Sequence, residues 1–195
     1  MTINIDFYNK NSQKLVAQYN SLSFEQVHPV VLNLLPQSGS VLDVGCGSGR
    51  DATAMAQRGL SVTAVDPSVN MLQAAQSLTN QVKWIQDQLP TLNNVLSLNK
   101  TFDFILLSAV WMHIELVDRK ESFKNLASLL NTNGKMVISL RHGIFTDERK
   151  ELPVSFNELH LLASEFGLTA TLLDGQSDDV LKRNEVSWQQ VLIQK

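Results

Sequence analysis

The chain has 195 residues, enough for one domain with a real core, and its 44% hydrophobic and 18% charged residues fit a globular protein rather than a disordered or fibrous one. A net charge of −3 and a pI near 5.8 give no general attraction to phosphate backbones or anionic membranes, so nucleic acid is not an expected partner. Cys46 is the single cysteine, which excludes an intrachain disulfide; with a polar start from Met1 to Lys10 and no apolar run near the roughly 20 residues of a membrane span, a cytoplasmic location is expected.

Phe24 to Leu35 carries apolar residues at helical spacing (Phe24, Val27, Val30, Val31, Leu34, Leu35) and runs into Pro36, which predicts a helix feeding a turn. Val41 to Val44 reads as a short buried strand, and Asp51 to Arg58 as a helix closed by Gly59. Ser61 to Val65 predicts a second strand, Asp66-Pro67-Ser68 a turn into a helix over Val69 to Ser77, and Val82 to Ile85 a third strand. After a polar loop, Phe102 to Leu107 is a fourth strand. Asp118 and Glu121 predict a capping box opening a helix that ends near Asn133-Gly134, and Lys135 to Leu140 is the fifth strand. Ser155 and Glu158 predict a second capping box, ahead of a helix with Leu159, Leu162, Ala163 and Phe166 on its apolar face and Gly167 at its end. Leu168 to Leu173 and Ser187 to Ile193 are the last strands. The polar connection Asp174 to Val186 lacks a helical stripe, so these two are expected to pair antiparallel. Strands alternating with helices imply right-handed crossovers and a mostly parallel sheet covered on both faces, an α/β fold in three α-β-α layers, doubly wound.

In such sheets ligands bind at the carboxyl ends of the strands. Gly45, Gly47 and Gly49 follow the first strand directly, so the backbone there can turn tightly and approach a ligand. A dinucleotide fingerprint would need its third glycine at position 50, which is Arg50. Asp66 stands at the end of the second strand, where a carboxylate can accept hydrogen bonds from both hydroxyls of a ribose. The plainer alternative is that the glycines only make a turn and Asp66 only caps the next helix. Asp43 is an unusual charge for a buried strand; it either orders the loop or binds a ligand ammonium.

The run Val41-Leu42-Asp43-Val44-Gly45-Cys46-Gly47-Ser48-Gly49, followed by Val62-Thr63-Ala64-Val65-Asp66, resembles the first two motifs of class I S-adenosylmethionine-dependent methyltransferases. The resemblance extends from residue 30 to the end. It implies a seven-stranded, mostly parallel sheet with an antiparallel last strand and S-adenosyl-L-methionine as cofactor. The cofactor-binding residues it implies are Asp43, Gly45, Cys46, Gly47, Ser48, Gly49, Asp66, Pro67, Met71, Asp87, Gln88 and Leu89, joined at the end of the fourth strand by Ser108, Ala109 and Val110. Asp87 would contact the adenine amino group, Gln88 and Leu89 would give backbone contacts, and Met71 would pack on the adenine; Cys46 is a small, passive loop residue. Asp87 as an ordinary loop residue is the bland alternative.

Methyl transfer is an in-line displacement in which the protein mainly aligns a nucleophile and excludes water; a proton acceptor is needed only for an alcohol, phenol or ammonium. His113 is the catalytic candidate as acid or base, with loop ordering as its alternative. Trp111 either walls the substrate or packs. Arg141 and His142 stand at the end of the fifth strand, and Arg141 could hold an acidic or planar substrate group or be simply solvated. Phe7-Tyr8-Asn9 through Tyr19-Asn20 resembles the aromatic helical lid of small-molecule methyltransferases, with Tyr8 and Tyr19 as substrate contacts, which divides the chain into a cap over 1–35 and a core over 36–195.

Where enzymes that methylate base nitrogens carry Asn or Asp, Pro-Pro and an aromatic, the chain reads Ser108-Ala109-Val110-Trp111; no cysteine is left for base carbon methylation, and no carboxylate set suits a metal-dependent catechol reaction. A small-molecule acceptor and no metal are expected. The alternatives are methylation of a protein or RNA group, with a partner supplying specificity, and a regulatory module that binds the cofactor without turnover. Neither the methylated atom nor the oligomeric state follows from the residues.

Overall fold

The computed structural model describes residues 2–173, 177–183 and 185–195. An 18-residue helix, α1 (Thr2–Tyr19), comes first. The predicted helix over Phe24 to Leu35 is broken in two, α2 (Phe24–Val27) and a 3-10 turn, Val31–Leu34. Pro29 is the reason: it disfavours the helical region for the residue before it, and His28 sits at φ −128°, ψ 52°. The strand and helix alternation then proceeds through β1 (Ser40–Val44), α3 (Arg50–Gln57), β2 (Ser61–Asp66), α4 (Val69–Gln76) and β3 (Lys83–Gln86), within a residue or two of expectation. The polar loop that follows holds an unpredicted short helix, α5 (Asn93–Leu96), and β4 covers Phe102–Leu107.

The next helix, α6 (Leu116–Ser128), corrects the expected capping box: Glu115 is its N-cap, and Asp118 lies inside its first turn. It also ends before Asn133-Gly134, because Leu130 already pairs with Phe102 of β4 and opens the long strand β5 (Leu130–His142). Asn133, at φ 64°, falls in the irregular start of β5, where the register to β4 shifts. Helix α7 (Phe156–Glu165) is capped by Ser155, whose Oγ accepts from the Glu158 amide at 3.2 Å. The Glu158 carboxylate does not close the box; it accepts from Arg119 Nη1 at 2.7 Å and Trp111 Nε1 at 3.2 Å. Strands β6 (Thr169–Leu172) and β8 (Ser187–Gln194) follow, with a two-residue strand, β7 (Ser177–Asp178), between them. Residues 174–176 and 184 of that connection lie outside the described residues.

The sheet runs β3-β2-β1-β4-β5-β8-β6, with β7 pairing onto β8. The first five strands are parallel, whereas β8 is antiparallel to both β5 and β6, as the sequence predicted for the last pair. Alternation along each strand sends side chains to opposite faces. Val41, Ala64, Phe104, Leu106 and Val137 pack under Ala52 and Met55 of α3 and Leu72 of α4. Leu42, Val65, Ile105, Leu107 and Ile138 pack under Phe123 and Leu126 of α6 and Leu159 of α7. Truncating a fully buried ring such as Phe123 in this layer would cost about 3–5 kcal/mol. The order reverses between β1 and β4, and the carboxyl ends of those strands open a crevice there. No helix among the described residues is long and apolar enough to cross a membrane.

Candidate active site

A cavity of about 230 Å³ occupies that crevice. Its floor at one end is the turn after β1. Gly45, Gly47 and Gly49 adopt φ of 73°, 52° and 79°, values that glycine reaches without strain. Packing adds a second constraint, since a Cβ on Gly45 would lie 2.4 Å from Val110 Cγ2 and one on Gly49 2.7 Å from Ala75 Cβ. The amides of Gly45 and Cys46 both donate to Val65 O at 2.8 and 2.9 Å, which seats the turn on the end of β2.

Asp66 closes β2 with its carboxylate on the cavity wall. Its Oδ2 accepts from the Gly47 amide and its Oδ1 from the Ser68 amide, each at 2.8 Å. Burial outweighs those two bonds and pushes its pKa up to about 6. Asp87 lines the same end. Its Oδ2 accepts from the amides of Asn94 and Val95 at 2.8 and 3.0 Å, so it caps the helix α5 that the sequence reading missed. Cys46, Ser48, Pro67, Gln88, Leu89, Ser108, Ala109 and Val110 also line the cavity.

Three residues expected here stand off the wall. Gly49 is the N-cap of α3, and Met71, fully buried in α4, supports the turn from below with its Cε 3.6 Å from where a Gly47 Cβ would be. Asp43 faces α3 from inside the sheet. Neither of its carboxylate oxygens has a hydrogen-bond partner of good geometry, and burial followed by the nearby Asp51 holds its pKa well above the usual carboxylate range.

A cluster absent from the sequence reading fills the space beside Asp43. Arg50 grips the Asp51 carboxylate with Nε and Nη2 at 2.6 and 2.9 Å, and His28 Nε2 reaches Asp51 Oδ2 at 3.0 Å and lies 3.3 Å from Ser108 Oγ. Although burial opposes it, His28 and Arg50 hold Asp51 well below the ordinary carboxylate range. His28, Arg50 and Asp51 all line the cavity. Arg50-Asp51 directly after the glycines was visible as a pair; His28 could be seen only through Pro29, whose break in the chain turns the imidazole inward.

The other end is roofed by α1 and by the segment after β5. Asn4 ties them together: its Oδ1 accepts from the Lys150 amide at 2.9 Å, which identifies the opposite atom as Nδ2, donating to Lys150 O at 2.9 Å and facing His113 Nδ1 at 3.0 Å. Nδ1 of His113 is therefore an acceptor, since the Lys150 carbonyl at 3.4 Å is the more distant partner. Nε2 then carries the proton and donates to Tyr8 Oη at 3.2 Å. Burial, helped by Arg149 and Arg141, lowers the His113 pKa to about 4, so the ring is neutral and both nitrogens are engaged. Tyr8 also receives Arg149 Nη1 at 3.3 Å, and burial pushes its own pKa above the ordinary phenol range, leaving a neutral hydroxyl at the cavity. Tyr19 Oη lies 3.4 Å from the same Arg149 nitrogen.

Arg141 reaches this end from β5, but its neighbours in expectation do not. Successive strand residues face opposite sides, so His142 points away and meets Gln189 Oε1 at 2.9 Å. Trp111 is fully buried in the core beneath α6, edge-on to Phe123, and walls nothing. Phe145, Arg149 and Arg183, which no sequence pattern marked, line the cavity instead. Among the described residues no group of three or more His, Cys, Asp or Glu side chains is gathered as a metal site would need.

A family model for the methyltransferase domain matches residues 17–171. A ubiquinone biosynthesis O-methyltransferase of Rickettsia canadensis is 27% identical over 131 residues, 65% of this chain and 47% of that protein. The chain spans about half the length of the curated relatives it matches. Magnesium protoporphyrin IX methyltransferase from Synechocystis, solved with bound SAH, superposes with a TM-score of 0.74 at 16% identity over 100% of this chain and 99% of that one. The 1,6-didemethyltoxoflavin-N1-methyltransferase of Burkholderia thailandensis gives a TM-score of 0.74 at 18% identity, covering 100% and 88%. These likenesses establish the fold, and the family match spans β1 to β6 with the whole glycine turn; the chain belongs to the methyltransferase domain family.

Proposed function

We propose that this protein is an S-adenosylmethionine-dependent methyltransferase acting on a small-molecule acceptor. The observation that carries it is the convergence of the glycine turn, Asp66 and Asp87 on one end of a cavity whose other end is roofed by α1 and the segment after β5. The residues present fit the cofactor: the turn lines the cavity with Gly45, Cys46, Gly47 and Ser48, and Asp66 presents a buried carboxylate with lone pairs to spare for ribose hydroxyls. Gly45, Cys46, Gly47 and Ser48 would cradle the amino-acid portion, Asp66 and Pro67 the ribose, Asp87, Gln88 and Leu89 the base, with Ser108, Ala109 and Val110 beneath. When bound, S-adenosylmethionine supplies an activated methyl group. The chain's own residues then align the acceptor and keep out water.

His113 has no free nitrogen to take a proton, so its role is to hold Tyr8 and α1 in place at the cavity. Acceptors that need no enzymatic base suit such a site. Residues 1–35 serve as the cap over the core 36–195. The cap closes through Asn4 on Lys150 and through Asn9, whose Oδ1 accepts from Ser68 Oγ at 2.8 Å. The similarity to enzymes of ubiquinone, porphyrin and toxoflavin chemistry supports a small acceptor over a protein or RNA group. A cytoplasmic enzyme is the expected setting.

Calorimetric titration with S-adenosylmethionine, S-adenosylhomocysteine and NAD tests the cofactor. The expected result is binding of the first two and not of NAD; binding of NAD alone would overturn it. Release of S-adenosylhomocysteine with any acceptor would exclude a regulatory module without turnover.

A further inference from the structure

The sequence contains six arginines. Five are ion-paired: Arg50 with Asp51, Arg58 with Glu25, Arg119 with Glu158, Arg149 with Asp147 and Arg183 with Asp179. Arg141 has no carboxylate partner among the described residues, although it is only 6% exposed. Its hydrogen bonds go to the backbone carbonyls of Gly143 and Ile144, and its buried Nε has none. The carboxylates nearest in effect are committed elsewhere. Asp179 takes Arg183 and Trp188 Nε1 at 2.6 and 2.9 Å, and Glu151 accepts from the Phe145 amide at 3.3 Å. A buried, unpaired guanidinium is a large electrostatic penalty for a fold to retain.

The position is specific. Arg141 lines the cavity from β5, on the far side of β4 from the glycine turn and Asp66, and its guanidinium stacks 4.1 Å from the Phe145 ring centroid. Arg149 lies 4.0 Å from the same centroid, so the aromatic ring holds two cations at the acceptor end, one of them already neutralised by Asp147. We infer that the acceptor carries an anionic oxygen group, of the carboxylate or phosphate class, and that Arg141 receives it through the unused face of its fork. This rests on the methyltransferase reading and names the acceptor class for that site. Stacking on Phe145 holds the guanidinium plane in place, which suits two-point recognition of such a group.

Three probes test this in the presence of saturating S-adenosylhomocysteine: benzoate, phenyl phosphate and the neutral benzamide, titrated into the parent protein, Arg141→Met and Arg141→Lys. The expected result is that benzoate or phenyl phosphate binds at least tenfold more tightly than benzamide, and which of the two is preferred identifies the anion. Arg141→Met should lose that preference by about 10- to 100-fold, the scale of charge-assisted hydrogen bonds, and Arg141→Lys should keep only part of it. Arg141→Met should also melt at or above the parent's temperature, because it removes an unpaired buried charge; a residue kept for structure would melt lower. Benzamide binding as well as either anion, or unchanged anion binding in Arg141→Met, would overturn the inference while leaving the cofactor reading intact. Loss of S-adenosylhomocysteine binding in Arg141→Met would overturn it by assigning the guanidinium to the cofactor. Failure of the parent to bind S-adenosylhomocysteine would instead defeat the cofactor reading.

Discussion

At the glycine-turn end of the cavity the ligand-facing groups come from three loops that each follow directly on a strand, and much of what they offer is backbone. At the roofed end they are side chains from α1, the 3-10 turn Trp111–His113, β5, the segment around Phe145 and Arg149, and the stretch at 177–183. The first end is specified by conformation, because left-handed φ values and close packing leave no choice but glycine at Gly45 and Gly49. The second is specified by mutual contact: Asn4, Tyr8, His113, Phe145 and Arg149 hold one another, and Arg141 has no carboxylate partner among the described residues.

The sharpest way to break the comparison is Gly45→Ala. Its Cβ meets Val110 at a positive φ, so the left-handed strain and the overlap together should cost about 2–4 kcal/mol of stability. Denaturant melts should show that loss, and calorimetry should show no measurable S-adenosylhomocysteine binding; retention of both would mean that the turn is not conformationally specified. Asp66→Ala comes next. It removes the acceptor of the Gly47 and Ser68 amides as well as the ribose partner, and cofactor affinity should fall by about 1–3 kcal/mol. An unchanged dissociation constant would sink the ribose assignment.

The raised pKa of Asp66 adds a pH signature with two opposed slopes. In the free protein the carboxyl binds its proton more tightly folded than unfolded, so its contribution to stability is fully present below the unfolded value near 3.8 and is lost as pH rises through about 6. Cofactor hydroxyls prefer the ionised form, so affinity should be flat above pH 6 and fall toward tenfold per unit below it. Titrations from pH 5 to 8 on the parent and Asp66→Asn check this; a slope that survives in Asp66→Asn belongs to another group.

The smallest effect is expected at His113. Replacement by Gln should leave cofactor affinity unchanged and kcat within about tenfold, while raising the acceptor KM as the hold on Tyr8 loosens. A fall in kcat beyond about 100-fold with KM unchanged would restore the imidazole as a base.

Much of the glycine-turn end was legible in the sequence because each of its features is local. Gly45-Cys46-Gly47-Ser48-Gly49 after an apolar strand and Asp66 at the end of the next need only chain neighbours to be recognised. Asp87 was singled out by resemblance and lines the cavity, but its capping of α5 was not legible, since a four-residue helix leaves no periodicity to read. The helix through Phe24 to Leu35 failed because apolar spacing was weighed without Pro29, and with it went His28 and its bond to Asp51. Trp111 takes the packing alternative, buried by the turn after β4, and His142 was misplaced because adjacency to Arg141 suggested a shared rim, whereas the strand alternation of β5 turns it away.

By itself the sequence determined the alternation of strands and helices, the parallel sheet with its antiparallel end, and the glycine turn with its acidic partner, since hydrophobic period, turn chemistry and backbone freedom act over a few residues. Only the tertiary structure decided which side chains share the roofed end, which nitrogen of His113 holds its proton and which arginine has no carboxylate partner among the described residues. Those outcomes depend on burial and on charges brought together from opposite ends of the chain, and neither quantity exists until the chain has folded.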